Sequence, residues 1–251
     1  MSTRGRSRGF SVVELMIAVA LSAILLGGVL TVLYSSRVTY DENARLARLQ
    51  EFGRSGIEMM LRDMRGAGYI GCNRGIDRND AVITVSTAPP GPELRYNFRV
   101  PVMGFEGTAG PLVPALDAGF APNQTPNNDA IIVRTISDSL PVMSTSAAMS
   151  SPTAAVPVRK PAGTVIPQHQ MLVISDCEHV AYFANTATTG TGTLATLPHD
   201  VAASSPANTT ADLGKAFPEG SVVAAVDSVG YYVGDSPSGR GSSLYRVVGR
   251  N

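Results

Sequence analysis

The chain has no tryptophan, and aromatic residues make up only 6% of it. That argues against an aromatic ligand cage or a base-stacking platform. Its 20 basic and 20 acidic residues cancel, so no basic excess exists to hold nucleic acid over a broad surface. Two cysteines, Cys72 and Cys177, cannot by themselves make a four-ligand zinc site. The three histidines, His169, His179 and His199, lack metal-ligand spacing such as HExxH and read as surface or loop residues. Asp77, Asn79 and Asp80 form a small acidic loop without the glycine and distal glutamate of an EF-hand. Gly239-Arg240-Gly241 reads as a turn, with no helix-opening context for a phosphate loop. Asn123-Gln124-Thr125 and Asn208-Thr209-Thr210 match the glycosylation sequon, a short pattern of little specificity. No nucleophile–base set is visible, so neither an enzyme nor a cofactor is expected.

The N-terminus is defined by what it lacks as well. Residues 1–9 hold Arg4, Arg6 and Arg8 and no acid, and residues 10–33 carry Glu14 as their only charge. Those 24 residues would span roughly 36 Å as a helix, enough for a bilayer core of about 30 Å. The arginines keep the N-terminal side cytoplasmic and send the remainder outward. A carboxylate at the centre of a bilayer costs on the order of 3 kcal/mol or more, so Glu14 suggests a function. Ala18-Val19-Ala20 nominally matches a secretory cleavage site, but the apolar run continues past it and Glu14 lies inside the short core before it. A plain uncleaved anchor leaves Glu14 and the Gly9-Phe10 junction unexplained.

No proline precedes Pro89, so the helix is expected to continue beyond the span. Leu46, Leu49, Phe52, Gly53, Ile57, Met60, Leu61 and Met64 recur at helical spacing between charged positions. Gly66 and Gly68 are stop signals. Residues 10–34 thus read as an apolar membrane or filament-core half and 35–66 as an amphipathic half laid on a domain. From residue 81 the pattern is β, with candidate strands at 81–87, 93–100, 130–136, 171–175, 221–226, 229–233 and 243–248. Strands following one long helix predict an α+β fold with an antiparallel sheet in 67–251. Residues 137–170 and 185–212 are rich in Ser, Thr, Ala and Pro and read as long surface loops.

Gly9-Phe10-Ser11-Val12-Val13-Glu14-Leu15, followed by Met16-Ile17-Ala18-Val19-Ala20-Leu21, resembles the class III signal of type IV pilins and pseudopilins. The resemblance implies that prepilin peptidase removes 1–9 as a leader, cutting between Gly9 and Phe10, and N-methylates Phe10. It gives Glu14 an assembly role, in which its carboxylate and a neighbouring subunit's Phe10 amine neutralise each other. Pairing relieves much of the cost of burying either charge alone. The positive end of its own helix would give Glu14 only about 0.3–1 kcal/mol.

Three further islands resemble PilW-type minor pilins: Arg62-Asp63-Met64-Arg65-Gly66-Ala67-Gly68-Tyr69-Ile70-Gly71-Cys72, Leu172-Val173-Ile174-Ser175-Asp176-Cys177, and Tyr231-Tyr232-Val233-Gly234 with Ser243-Leu244-Tyr245-Arg246. The resemblance implies a low-abundance subunit of the inner membrane and then the pilus. Its partners would be other minor pilins, the major pilin, prepilin peptidase, the inner-membrane assembly platform and, before assembly, membrane lipid. Further sheet and helix would be expected after the last island, so the β domain reads as C-terminally incomplete. A disulfide between Cys72 and Cys177 fits an oxidising exported compartment and is reinforced by the resemblance; two unpaired thiols are the alternative. Closing a loop of about 100 residues is worth up to roughly 4–5 kcal/mol. A J-type minor pseudopilin of type II secretion, and a membrane-anchored adhesin or DNA-binding module, are the other readings. Gly9→Val is expected to block leader removal, leaving an intact N-terminal peptide by mass spectrometry; a correctly cut variant would remove the peptidase reading.

Overall fold

The computed structural model describes residues 9–71, 77–85, 95–116, 120–201, 206–239 and 241–249. The chain divides into two compact units, Met1–Ile57 and Glu58–Asn251. Helix α1 runs Val12–Arg65, as the uninterrupted helical pattern predicts. Its part in the first unit carries exposed apolar side chains from Val12 to Ile57. Thr31 and Thr39 return their hydroxyls to the carbonyls of Gly27 and Ser35, which satisfies both side chains within the helix.

The helix stops where glycine was expected. Gly66 and Ala67 donate backward to the carbonyls of Asp63 and Met64. Gly68 takes a φ of 70° and donates to the carbonyl of Arg134. That left-handed turn, which a glycine adopts without a Cβ penalty, carries the chain onto the sheet.

Among the described residues ten strands form the second unit: β1 Val82–Ile83, β2 Val102–Phe105, β3 Ala130–Ile136, β4 Met143–Thr145, β5 Val156–Arg159, β6 Met171–Ser175, β7 Val180–Ala184, β8 Leu194–Leu197, β9 Val222–Asp235 and β10 Ser242–Val248. Strand β9 is the spine. Its first residues pair with β6 and β4, and the remainder pairs with β3 on one side and β10 on the other. The main path is β1-β7-β6-β9-β4-β5-β8. Its pairings are antiparallel except β1–β7, which is parallel. The antiparallel sheet expected from sequence is therefore corrected to a mixed one.

Alternate residues of the central strands feed opposite faces. Leu172, Ile174, Ala181, Phe183, Val223 and Ala225 enter one core. Met171, Val173, Val180, Tyr182, Ala184, Ala224 and Val226 enter the other. Burial on both faces is why β6 and β7 are continuous apolar runs rather than alternating ones. Residues expected to be surface loops supply much of the covering. Met143, Met149, Val156, Val158, Ile166 and Leu197 are all buried, and three strands, β4, β5 and β8, lie inside 137–170 and 185–212. Lys160 is buried there, and its ammonium donates to the carbonyls of Thr164, Gly190 and Gly192 at 2.5–2.7 Å. These stretches are corrected from loops to built structure, because their apolar side chains are buried and the Lys160 ammonium is satisfied by carbonyls within them.

Two strand assignments also change. The candidate at 221–226 and the one at 229–233 are a single strand through Asp227, Ser228 and Gly230. The polar pair is buried, and Ser228 is held by a hydroxyl bond to the carbonyl of Arg95. The Phe120 ring packs against Gly230 so closely that a Cβ has no room. Residues 95–100 form turns rather than the expected strand, and 93–94 lie outside the described residues. The reason is Arg134, which is fully buried and donates to the carbonyls of Arg95 at 3.1 Å and Val100 at 2.6 Å. Desolvation lowers that guanidinium to about 10.

Asn208 is similarly central. Its side-chain oxygen accepts from Thr84 Oγ1 and the Ala184 amide, and its nitrogen donates to the carbonyls of Ala184 and Asp200. It is buried, which removes it as a glycosylation acceptor. Asn208→Ala should destabilise the protein by about 2–3 kcal/mol by stranding buried partners. Thermal melts of the full chain in detergent would check this, and an unchanged midpoint would sink it.

Candidate functional site

The first candidate site is the N-terminal segment of α1. Gly9 and Phe10 precede the helix, and Phe10 is 84% exposed. The Leu15 amide donates to the carbonyl of Ser11 at 3.1 Å, which makes Ser11 the N-cap and Glu14 the third helical residue. Ser11-Val12-Val13-Glu14 thus has the spacing of a capping box, in which the glutamate can serve the helix start as well as a partner. That spacing is legible in the sequence alone. Among the described residues α1 is the one helix long and apolar enough to cross a membrane.

In the second unit, the residue the sequence reading missed is Asp63. It is the buried residue of α1. Tyr231 Oη donates to its Oδ2 at 2.5 Å, and Arg246 Nε donates to the same oxygen at 2.8 Å. Tyr231 and Arg246 are directly opposed across β9 and β10, and their Nε–Oη distance is 3.2 Å. Burial alone would raise the Asp63 carboxyl, but the bonds from Arg246 and Tyr231 outweigh it and hold the group below its usual value. Burial first, and then the bond to Asp63, pushes the Tyr231 hydroxyl up to about 12. The neighbouring Arg62–Asp138 pair, at 3.6 Å, is exposed and adds little. A sequence clue existed: Asp63 follows Met60 by three positions and so shares its stripe. Its partners, 168 and 183 residues away, had no such clue. The trio holds the helix end to two strands; its chemistry is structural.

A second pinned turn surrounds Cys177. Asp176 accepts from Lys215 Nζ at 2.6 Å and from the amides of His179 and Glu178. Burial raises the Asp176 carboxyl, but Lys215 and the two amides prevail and lower it. Cys177 itself stands at a φ of 71°, uncommon for a residue with a Cβ. Its expected partner, Cys72, lies outside the described residues.

The histidines divide. His179 is exposed beside Lys215, with 3.2 Å between its Nδ1 and Nζ, and His169 is half-buried at a φ of 67°. His199 is a correction: it is buried, tilted against Phe183 at 5.2 Å, because its ring completes the apolar packing beside β8. Asp77 accepts from the Asn79 amide and opens a short 3-10 turn, Arg78–Asp80. No three His, Cys, Asp or Glu side chains converge among the described residues. Gly239 and Gly241 form the turn between β9 and β10, closed by the Ser236 amide donating to the Gly241 carbonyl, while Arg240 lies outside the described residues.

The model of the prokaryotic N-terminal methylation motif matches residues 4–30. No curated protein and no solved structure matches the chain. The motif is a type IV prepilin-like signal, and with the long apolar helix it supports a membrane-anchored, pilin-like protein. The helix followed by a curled mixed sheet fits a pilin-like α+β layout.

The lowered Asp63 carboxyl contributes stability in full above its unfolded value, and the contribution is lost as pH falls through the still lower folded value. Asp63→Asn should therefore lower the melting midpoint at neutral pH, and the gap to the unaltered protein should shrink below about pH 4. A gap independent of pH would show that charge is not what Asp63 supplies.

Proposed function

We propose that this chain is a minor pilin of a type IV pilus, of the PilW type, acting with other minor pilins to prime assembly and residing near the tip. The observation that carries the reading is the methylation motif at residues 4–30, set on a helix that begins at Val12 and places Glu14 in its first turn. In this reading prepilin peptidase cuts between Gly9 and Phe10 and methylates the new amine. The helix then waits in the inner membrane, with the β domain on the outer side of that membrane. Removing the leader takes three arginines and no acid, leaving 242 residues with a net charge of about −3. Until assembly Glu14 has only its own helix start to stabilise it, worth about 0.3–1 kcal/mol. Docking brings the Phe10 amine of a neighbour, and the relief of a buried unpaired charge favours insertion into the bundle.

The pinned turn around Asp176 supports a Cys72–Cys177 disulfide as part of this proposal. Such a bridge would tie the segment after α1 to the turn between β6 and β7. The same motif serves the minor pseudopilin of a type II secretion system, so localisation decides between the two. Mass spectrometry of sheared surface filaments is expected to find a peptide beginning at N-methylated Phe10. A processed chain confined to membranes would favour the pseudopilin, and an intact leader beside active peptidase would overturn both.

Glu14→Ala and Glu14→Gln should both be cut normally yet enter filaments at least about tenfold less, since a 1.4 kcal/mol loss already gives a factor of ten. Glutamine keeps a capping acceptor, so filament entry at the normal level for Gln alone would assign Glu14 to helix capping instead.

A further inference from the structure

A groove in the second unit has no part in the reading above. It has a volume of about 600 Å³, inside the range of roughly 300–1,000 Å³ typical of binding clefts. Met60, Gly104, Val113, Ile131, Val233 and Leu244 supply apolar lining. Val113 and Leu244 remain more than half exposed, so this apolar surface lacks a cover. Gly104 contributes open space, since a Cβ placed there would meet nothing within 4 Å. Two carboxylates, Glu106 and Asp129, also line the groove, and no lysine or arginine does. Both are exposed, and among the described residues neither is in an ion pair. Asp129 is oriented by a bond from the Gly107 amide at 2.9 Å.

Apolar walls with two unneutralised acids fit an apolar helix face flanked by cations. Residues 45–57 of α1 have that composition. Leu46, Leu49 and Phe52 are exposed, Phe52 by 73%. At about 100° per residue, Arg45 and Arg48 both fall within roughly 40° of Phe52 around the helix. A groove that takes the Phe52 ring therefore meets both guanidinium groups. Two cations face two carboxylates, and the aromatic side chain is the residue type that most often anchors an interface.

We propose that the groove seats residues 45–57 of a second copy of this chain, with Phe52 inserted and Arg45 and Arg48 turned to Glu106 and Asp129. The proposal rests on the reading of the chain as an assembling pilin-like subunit. It adds a surface by which one copy holds the helix of a second.

The test uses the full-length chain in detergent, prepared once with natural nitrogen and once with nitrogen-15, then mixed. A benzophenone amino acid replaces Leu244, and irradiation is followed by digestion and mass spectrometry. Cross-links from position 244 to peptides within 45–57, with the two ends differently labelled, are expected. Gly104→Leu fills the groove and should cut their yield at least tenfold while leaving the melting midpoint unchanged. Arg45→Glu with Arg48→Glu should do the same, and Glu106→Arg with Asp129→Arg should restore the link. Links only between ends of one label, links to a different protein in cells, or a yield indifferent to Gly104→Leu would overturn the proposal. The N-terminus is read in the same samples. A chain cut at Phe10 but not cross-linked removes the groove alone, whereas a leader left intact in cells with active peptidase removes the pilin-like reading.

Discussion

Once the carboxylate of Asp63 is buried it must be paired, and the bonds from Tyr231 and Arg246 that pair it set where the end of α1 meets the sheet. One oxygen receives both donors, and the donors come from adjacent strands. The arrangement holds only while β9 and β10 keep their register. A slip of one residue would turn Tyr231 to the opposite face and strand the acid. From this point the chain turns at Gly68 onto β3, whose Arg134 in turn holds the segment around Arg95 and Val100. Helix end, central strands and covering segments are thus linked through buried polar groups rather than through apolar contact alone.

The same logic runs through the covering segments. Lys160 and Asn208 are polar residues at the centre of stretches that look like surface linkers. Each is satisfied by backbone groups brought from distant parts of the chain. Burying such groups costs free energy unless every bond is made, so they specify one arrangement of these segments over the sheet. The apolar residues of these segments close one face of β6 and β7, and Ala81, Val85, Tyr96 and Phe98 close the other. That leaves the groove beside Gly104 as apolar surface with open space, and its acidic residues give it a preference of charge.

In the proposed reading, function is concentrated where tertiary structure matters least: Gly9, Phe10 and Glu14 would act through a peptide junction, a free amine and a charge at membrane depth. All three are properties of a short linear segment, and the matched motif covers only residues 4–30. The β domain, by contrast, takes its shape from contacts between residues far apart in sequence.

The sequence by itself determined the helix, its stop at the glycines, the apolar N-terminal run with its lone glutamate, and the strands β3, β6 and β10. Each follows from local periodicity or a local breaker, which neighbouring residues carry. Only the tertiary structure decided that Asp63 is buried, that Asp227 and Ser228 lie inside a strand, that residues 95–100 turn, and that the Ser- and Thr-rich stretches hold β4, β5 and β8. Asp63, Ser228, Arg134 and Lys160 are polar groups that find partners 30 to 183 residues away, and local composition does not reveal those partners.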